Sequence, residues 1–408
     1  MSLKILHVNY SDSNGGAAIA VQRIIQAQKL EGLNPVLLVA EKNSKNDQVI
    51  GPSSTLEEIK WKLLLSINRK FKKIKKKKKY DSNSYNLIPN NIVKKINKLD
   101  FDIVNLHWIG NNLIPINDIK KIKKPIVWTL HDMWPYTGSE HYSLNNRYIE
   151  GYNKQNKPNN LKGFDIERYC WNLKKKHYPK NLNIVATSDW QLKSSKNSYL
   201  FKNFLIEKIQ IPIDECFWKP IDKDYSRKEL NLPLNKKIVL IGSEKIDSKR
   251  KGYFLIKDII EKLDIENLSF VFFGNIKEQN KLKNSEFEIN YIKSVNPNSY
   301  DLKLIYSAAD LFIAPSLQES FGQTILEASC CNTPSVCFAN NGISEVINHR
   351  YNGYTAKEND IDDFAKGIEW CLKNISVSRM VENRNDMINK FSLEEIGKKY
   401  NNFYSNIV

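Results

Sequence analysis

The stretch with the densest chemistry is Ile313-Ala-Pro-Ser-Leu-Gln-Glu-Ser-Phe-Gly-Gln-Thr-Ile-Leu-Glu-Ala328. Two carboxylates, Glu319 and Glu327, frame Ser320, Phe321, Gly322, Gln323 and Thr324. The apolar run Leu311-Phe-Ile-Ala before them reads as a buried strand, and Pro315 blocks its ladder. From Gln323 the pattern turns helical, with Ile325 and Leu326 inward. A helix start leaves its first backbone N–H groups without intrahelical partners, so a strand, loop and helix in this order suit an anion. Ionised carboxylates only accept hydrogen bonds, which suits hydroxyls. A phosphate between two hydroxyl acceptors describes a nucleotide sugar.

A bare Glu-x7-Glu spacing is a weak signal; Pro-Ser, Glu-Ser-Phe-Gly and Glu-Ala in succession are a stronger one. Together they resemble the signature of glycosyltransferase family 4, whose members are retaining enzymes of GT-B fold. The resemblance spans nearly the whole chain and is strongest at 124–142 and 311–356. It implies that Glu319 contacts hydroxyls of the donor sugar, that Glu327 holds the ribose diol, and that the amides between touch sugar and diphosphate. It also implies that the glycine pair Gly15-Gly16, at the start of a first helix, faces the diphosphate and the acceptor. That pair is not a Gly-x-Gly-x-x-Gly fingerprint, which disfavours a dinucleotide; a plain strand-to-helix turn is the other reading.

A second informative run is Pro125-Ile-Val-Trp-Thr-Leu-His-Asp-Met-Trp-Pro-Tyr-Thr-Gly-Ser-Glu-His-Tyr142. A strand through Trp128–Leu130 delivers His131 and Asp132 at its C-terminal edge. Trp134, Tyr136, Glu140 and His141 follow in the loop, where aromatic faces suit either sugar stacking or loop packing. The run is similar to that of family 4 members that assemble bacterial surface polysaccharides. By that resemblance His131 projects beside the reacting sugar. His107, Trp134 and His141 are expected on the acceptor side, His107 because it ends the strand Ile103–Leu106 at the ligand-facing edge. Asp100 and Asp102 sit at the opposite edge and read as strand-start residues rather than a metal motif.

A third cluster is Ser243-Glu-Lys-Ile-Asp-Ser-Lys-Arg-Lys-Gly252, four cations between a buried strand and a helix. Such a loop suits a diphosphate clamp. Lys251-Gly252 matches the family's Lys-Gly element. The family's arginine after the strand glycine is replaced by Ser243, and Lys245 is the nearest substitute.

These groups need two frames to hold them. At 408 residues the chain exceeds the reach of a single core. Its β/α alternation predicts an α/β chain, and the family resemblance implies GT-B architecture: two Rossmann-like domains facing across a cleft, 1–212 and 213–392, with a final helix within 393–408 crossing back to the first. The first domain is expected to bind the acceptor and the second the nucleotide sugar. The polar stretch 151–170 reads as a flexible loop near the cleft.

The formal charge of +17, from 62 basic and 45 acidic residues, admits nucleic acid, an anionic membrane or phosphorylated substrates, as well as plain surface solvation. No nucleic-acid-reading motif accompanies the lysines. The segment 60–79 mixes Trp61, Leu64, Leu65, Phe71 and Ile74 with lysines and ends in Lys75-Lys-Lys-Lys-Lys79. It reads either as an amphipathic helix on an anionic membrane or as a packed helix with a solvated tail. No stretch reaches the ~20 apolar residues that span a bilayer. The start runs directly into a strand without a signal-peptide layout, and six scattered cysteines read as small core residues. The expected location is therefore cytoplasmic, peripheral on the inner face of the plasma membrane if segment 60–79 engages lipid.

The expected reaction is a metal-independent transfer of a hexose-type sugar, with retention, to a hydroxyl of a lipid-linked or growing glycan. Lys251, Glu319 and His131 are the expected catalytic residues, with no cofactor beyond the donor substrate. Two alternatives are a related GT-B enzyme such as a nucleotide-sugar 2-epimerase, and a non-catalytic protein binding anionic surfaces through its lysines.

Overall fold

The computed structural model describes residues 2–74, 83–159, 161, 163–244, 246, 248–277, 282, 287–293 and 295–408, with the side chains of 68–74 excluded. Lys245 and the lysine run 75–79 lie outside the described residues. The chain divides into two compact units, Met1–Ile211 with Leu393–Val408, and Pro212–Ser392.

Unit 1 is a parallel sheet of β1 (Lys4–Ser11), β2 (Asn34–Glu41), β3 (Val49–Ile50), β4 (Ile103–Leu106), β5 (Ile126–Thr129), β6 (Asn183–Ala186) and β7 (Ile206–Lys208), in the order β3-β2-β1-β4-β5-β6-β7. Both faces are covered, so its strands are continuous apolar runs rather than alternating ones. Leu6 and Val8 face one core with Leu38, Val104 and Trp128. Ile5 faces another, with Ile24 of helix Gly16–Leu30 and Ile396, Tyr400 and Tyr404 of the closing helix Leu393–Ser405. His7 interrupts the apolar pattern of β1 and is fully buried.

Unit 2 is a parallel sheet of β8 (Lys237–Gly242), β9 (Leu268–Phe273), β10 (Glu288–Ile292), β11 (Leu311–Ala314), β12 (Ser335–Phe338) and β13 (Gly353–Ala356), ordered β10-β9-β8-β11-β12-β13. Its core gathers Val239, Phe270, Ile313, Val336 and Phe364. In each sheet the strand order reverses once, between β1 and β4 and between β8 and β11. Ligands of open α/β sheets bind beyond the C-terminal strand ends at such a switch point.

Three expectations need correction. Segment 151–170 is not a free loop: Asp165 caps helix Ile166–His177, and the buried Arg147 pairs with Asp165 at 2.6 Å and Glu167 at 3.1 Å. In helix Thr55–Ile74, Trp61 and Leu64 pack into the unit 1 core, so they are not available to a membrane. Among the described side chains of that helix, Leu56, Ile59 and Leu63 are the large apolar ones that are exposed. Finally, Cys216 is exposed, although the other cysteines are buried. Asp100 pairs with Lys4 at 2.7 Å and Asp102 accepts from the Lys4 backbone N–H at 2.8 Å, which fastens the β1 and β4 starts together.

Candidate active site

In unit 2 the loops after β8 and β11 meet at the switch point. Gly252 takes a left-handed conformation (φ 72°), and any Cβ there would run into the Pro315 carbonyl oxygen. A side chain would force the two loops apart; glycine lets the cationic turn Lys249–Lys251 lie against the loop before Glu319. A backbone bond closes the contact, Leu317 N–H donating to Arg250 O at 2.8 Å, and Gly342 N–H, in the loop after β12, donates to Glu319 O at 2.8 Å.

Glu319 is buried between two cations. Arg250 Nη1 lies 2.8 Å from Oε2, and Lys251 Nζ holds Oε1. Burial pushes the carboxyl's pKa up, but Arg250 and Lys251 outweigh it and hold it below its usual 4.5. The helix Gln323–Cys330 begins just beyond, with no side-chain cap at Gly322 and no acid in its first turn. Its N-terminal partial positive charge is thus uncompensated by the helix's own residues. Glu327, in the same helix, is buried and accepts from Tyr306 Oη at 3.1 Å. Ser320 and Phe321 are buried, Phe321 against Phe391, while Gln323 and Thr324 are partly open. The Ser243 hydroxyl, just past the end of β8, is buried and has no hydrogen-bond partner among the described residues.

In unit 1, Gly15 (φ 87°) ends the β1 loop beside open space, and Gly16 begins the helix. His131 lies past the end of β5 and is partly exposed. Its Nε2 is 2.9 Å from His107 Nδ1, and His107 Nε2 is 2.8 Å from His7 Nδ1. His7 Nε2 in turn contacts Gln28 Oε1 at 2.8 Å. Burial lowers the pKa of His7 and His131 to about 4 and that of His107 well below its usual 6.5, so the chain is neutral at neutral pH.

The three residues expected to face an acceptor are instead internal. His107 is the middle of the imidazole chain. Trp134 donates to Ser84 O at 2.7 Å, and His141 bridges Asp132 at 2.5 Å and Ser84 Oγ at 2.8 Å. Each is 2% exposed, and His107 packs directly behind His131. Hydrogen-bonding needs explain this: a buried indole or imidazole takes a polar partner, and the adjoining loop supplies one.

Sequence reasoning missed Arg250, Tyr306, His7, Gln28 and Lys174. Arg250 stood in the cationic loop, and a histidine inside an apolar strand was a visible signal at position 7. Lys174 had none. It is fully buried, its Nζ bonded to the carbonyls of Trp134, Thr137 (3.2 Å) and Gly138 (2.7 Å).

Residues 222–390 match the family model Glycosyl transferases group 1. An uncharacterized glycosyltransferase of Methanocaldococcus jannaschii is 32% identical over 26% of this chain and 28% of its own length. The UDP-Gal:alpha-D-GlcNAc-diphosphoundecaprenol alpha-1,3-galactosyltransferase of Escherichia coli is 28% identical over 48% of this chain and 52% of its own. The chain thus spans about a quarter to a half of these curated relatives. Among solved structures, Anabaena HepE in complex with UDP and glucose aligns over 99% of both chains, with TM-score 0.66 and 15% identity. The sucrose-phosphate synthase of Thermosynechococcus elongatus aligns over 99% of this chain and 98% of its own, with TM-score 0.68 and 16% identity. The fold is GT-B.

Proposed function

We propose that this chain is a family 4 glycosyltransferase that moves a hexose-type sugar from a nucleotide diphosphate sugar to a hydroxyl of a lipid-linked or growing surface glycan, with retention and without a metal. The observation that carries the reading is the convergence of Arg250, Lys251, Glu319 and an uncapped helix start at the switch point of the second sheet. The family match over 222–390 and the likeness to Anabaena HepE, solved in complex with UDP-glucose, support it.

Negative charge develops on the departing diphosphate. Arg250, Lys251 and the first amides of helix Gln323–Cys330 are suited to stabilise that charge, and losing one such donor typically costs about 3 kcal/mol. With these cations serving, no divalent ion is required. Glu319 orients the sugar through its hydroxyls, Glu327 takes the ribose diol, and Ser243 and the amides of 320–324 bind around the phosphates. Gly15 and Gly16 approach the diphosphate and His131 lines the sugar. The departing phosphate oxygen takes the acceptor's proton, which fits retention without a protein general base.

The exposed Leu56, Ile59 and Leu63 fall three and four residues apart, on one helix face, beside Lys60 and Lys62. That face suits an anionic membrane surface and a peripheral location on the cytoplasmic side, where a lipid-linked acceptor would be met.

Thermal shift with UDP, GDP, ADP and their sugars, in EDTA, tests the reading on wild type and Glu327→Ala. One nucleotide is expected to raise the melting temperature, and the variant to lose most of that rise. No rise with any nucleotide overturns the proposal.

A further inference from the structure

The chain Gln28–His7–His107–His131 runs from the core beside the closing helix to the ligand-facing edge of the first sheet, with successive contacts of 2.8, 2.8 and 2.9 Å. Each neutral imidazole has one N–H and one bare nitrogen, so one fixed end dictates every link. Gln28 supplies that end. Its amide N–H group donates to Tyr404 Oη at 3.0 Å, which turns its carbonyl oxygen toward His7. A carbonyl oxygen carries no proton, so His7 Nε2 must be the donor and His7 Nδ1 the bare nitrogen. His107 must then donate from Nε2 to His7 and accept at Nδ1. His131 must likewise donate from Nε2. Among the described residues the Nδ1 of His131 has no hydrogen-bond partner, and it is not a buried orphan.

We propose that Gln28, His7 and His107 are positioning residues that lock His131 in its Nε2–H form, so that the group it offers a ligand is the bare lone pair of Nδ1. A hydroxyl meeting His131 must then donate its hydrogen, and His131 cannot donate from Nδ1 to a phosphate or ring oxygen. Donation along the chain polarises each imidazole and makes that last nitrogen a stronger acceptor. The lock also fixes the ring's plane, because His7, His107 and His131 meet edge to edge through these bonds, with centroids 5.1 Å apart and successive rings inclined by only 27° and 28°. That the hydroxyl belongs to a donor sugar rests on the function proposed above; the tautomer does not.

The test is long-range 1H–15N correlation on the full chain labelled with 15N-histidine at neutral pH, with His131→Asn used to assign the His131 signals. The expected spectrum shows His131 with a protonated Nε2 and a bare Nδ1. A proton on His131 Nδ1, or signals averaged between the two forms, overturns the lock; reversal of the Gln28 amide would give the former. Gln28→Met removes the carbonyl and is expected to average the His131 signals, whereas Gln28→Glu, which still accepts, is expected to preserve them. A Gln28→Met protein with unchanged His131 signals also overturns the proposal. Should that variant not fold, the wild-type and Gln28→Glu spectra decide it. Adding UDP-glucose, GDP-mannose or ADP-glucose, whichever raises the melting temperature, is expected to shift the His131 Nδ1 signal. Binding without that shift overturns the role assigned to the lone pair. If no sugar nucleotide binds, the proposed function falls while the tautomer result stands.

Discussion

Glu319 is a carboxylate that holds its charge in a place that disfavours charge. Burial works against its ionisation, and only Arg250 and Lys251 reverse the balance. Glu319→Gln keeps the shape and leaves two cations around a neutral amide. Their side chains are 24% and 23% exposed, so they can partly turn to water, and the expected loss is about 1–3 kcal/mol rather than the full cost of a broken buried pair. Urea unfolding of unit 2 near neutral pH would measure it. Because the folded pKa of Glu319 is depressed, its pairing contributes in full above the ordinary 4.5 and is lost as pH falls through the folded value. The two unfolding curves should therefore converge in acid. A variant as stable as wild type near pH 7 would show that the cations do not depend on Glu319.

At the scale of elements, the loop after β5 is bolted from outside by helix Ile166–His177. Lys174 reaches three of its carbonyls and lies 3.8 Å over the Trp134 ring. Lys174→Met fills the space but strips the Lys174 donor from all three carbonyls. Among the described residues Trp134 O then keeps only the 3.5 Å contact from Thr137 Oγ1, and each carbonyl left unsatisfied costs ~1–3 kcal/mol. The expected result is a loss of at least ~2 kcal/mol, with faster amide exchange confined to residues near 131–142. Unchanged exchange there would show that the loop holds itself. This bolt also marks where sequence reading stops. Strands such as Lys4–Ser11 and Leu311–Ala314, the helix after Gly322 and the cationic turn before Gly252 were legible, because periodicity, proline and glycine act within a few residues. The partners of side chains were not. His7 meets His107 across 100 positions and Lys174 meets Trp134 across 40, and a run of lysines looks equally solvated whichever one turns inward. The same blindness placed His107, Trp134 and His141 on a surface that they lie beneath.

On the scale of the whole chain, unit 1 is completed only by its last segment. Ile396, Tyr400, Phe403 and Tyr404 are buried in its core, and Tyr404 Oη also accepts from Gln28 and from Asn105 at 2.7 Å. Four such side chains at ~1.5–3 kcal/mol each rival the stability of an entire domain. A chain ending at Ser392 is expected to lose exchange protection in β1, β4 and β5 while β8, β11 and β12 keep theirs. Retained protection in unit 1 would show that the closing helix is dispensable.

Unit 2 enters and leaves the chain at one spot. Ile213 bridges Ser392, and its N–H donates to Phe391 O at 2.8 Å. Its two ends are therefore spliced side by side, like the base of a cassette. A graft needs only a replacement whose termini sit one strand spacing apart, about 4.8 Å. If the proposed function holds, donor recognition is then exchangeable between such enzymes as one uninterrupted piece of gene, with the host's first sheet and closing helix left as written.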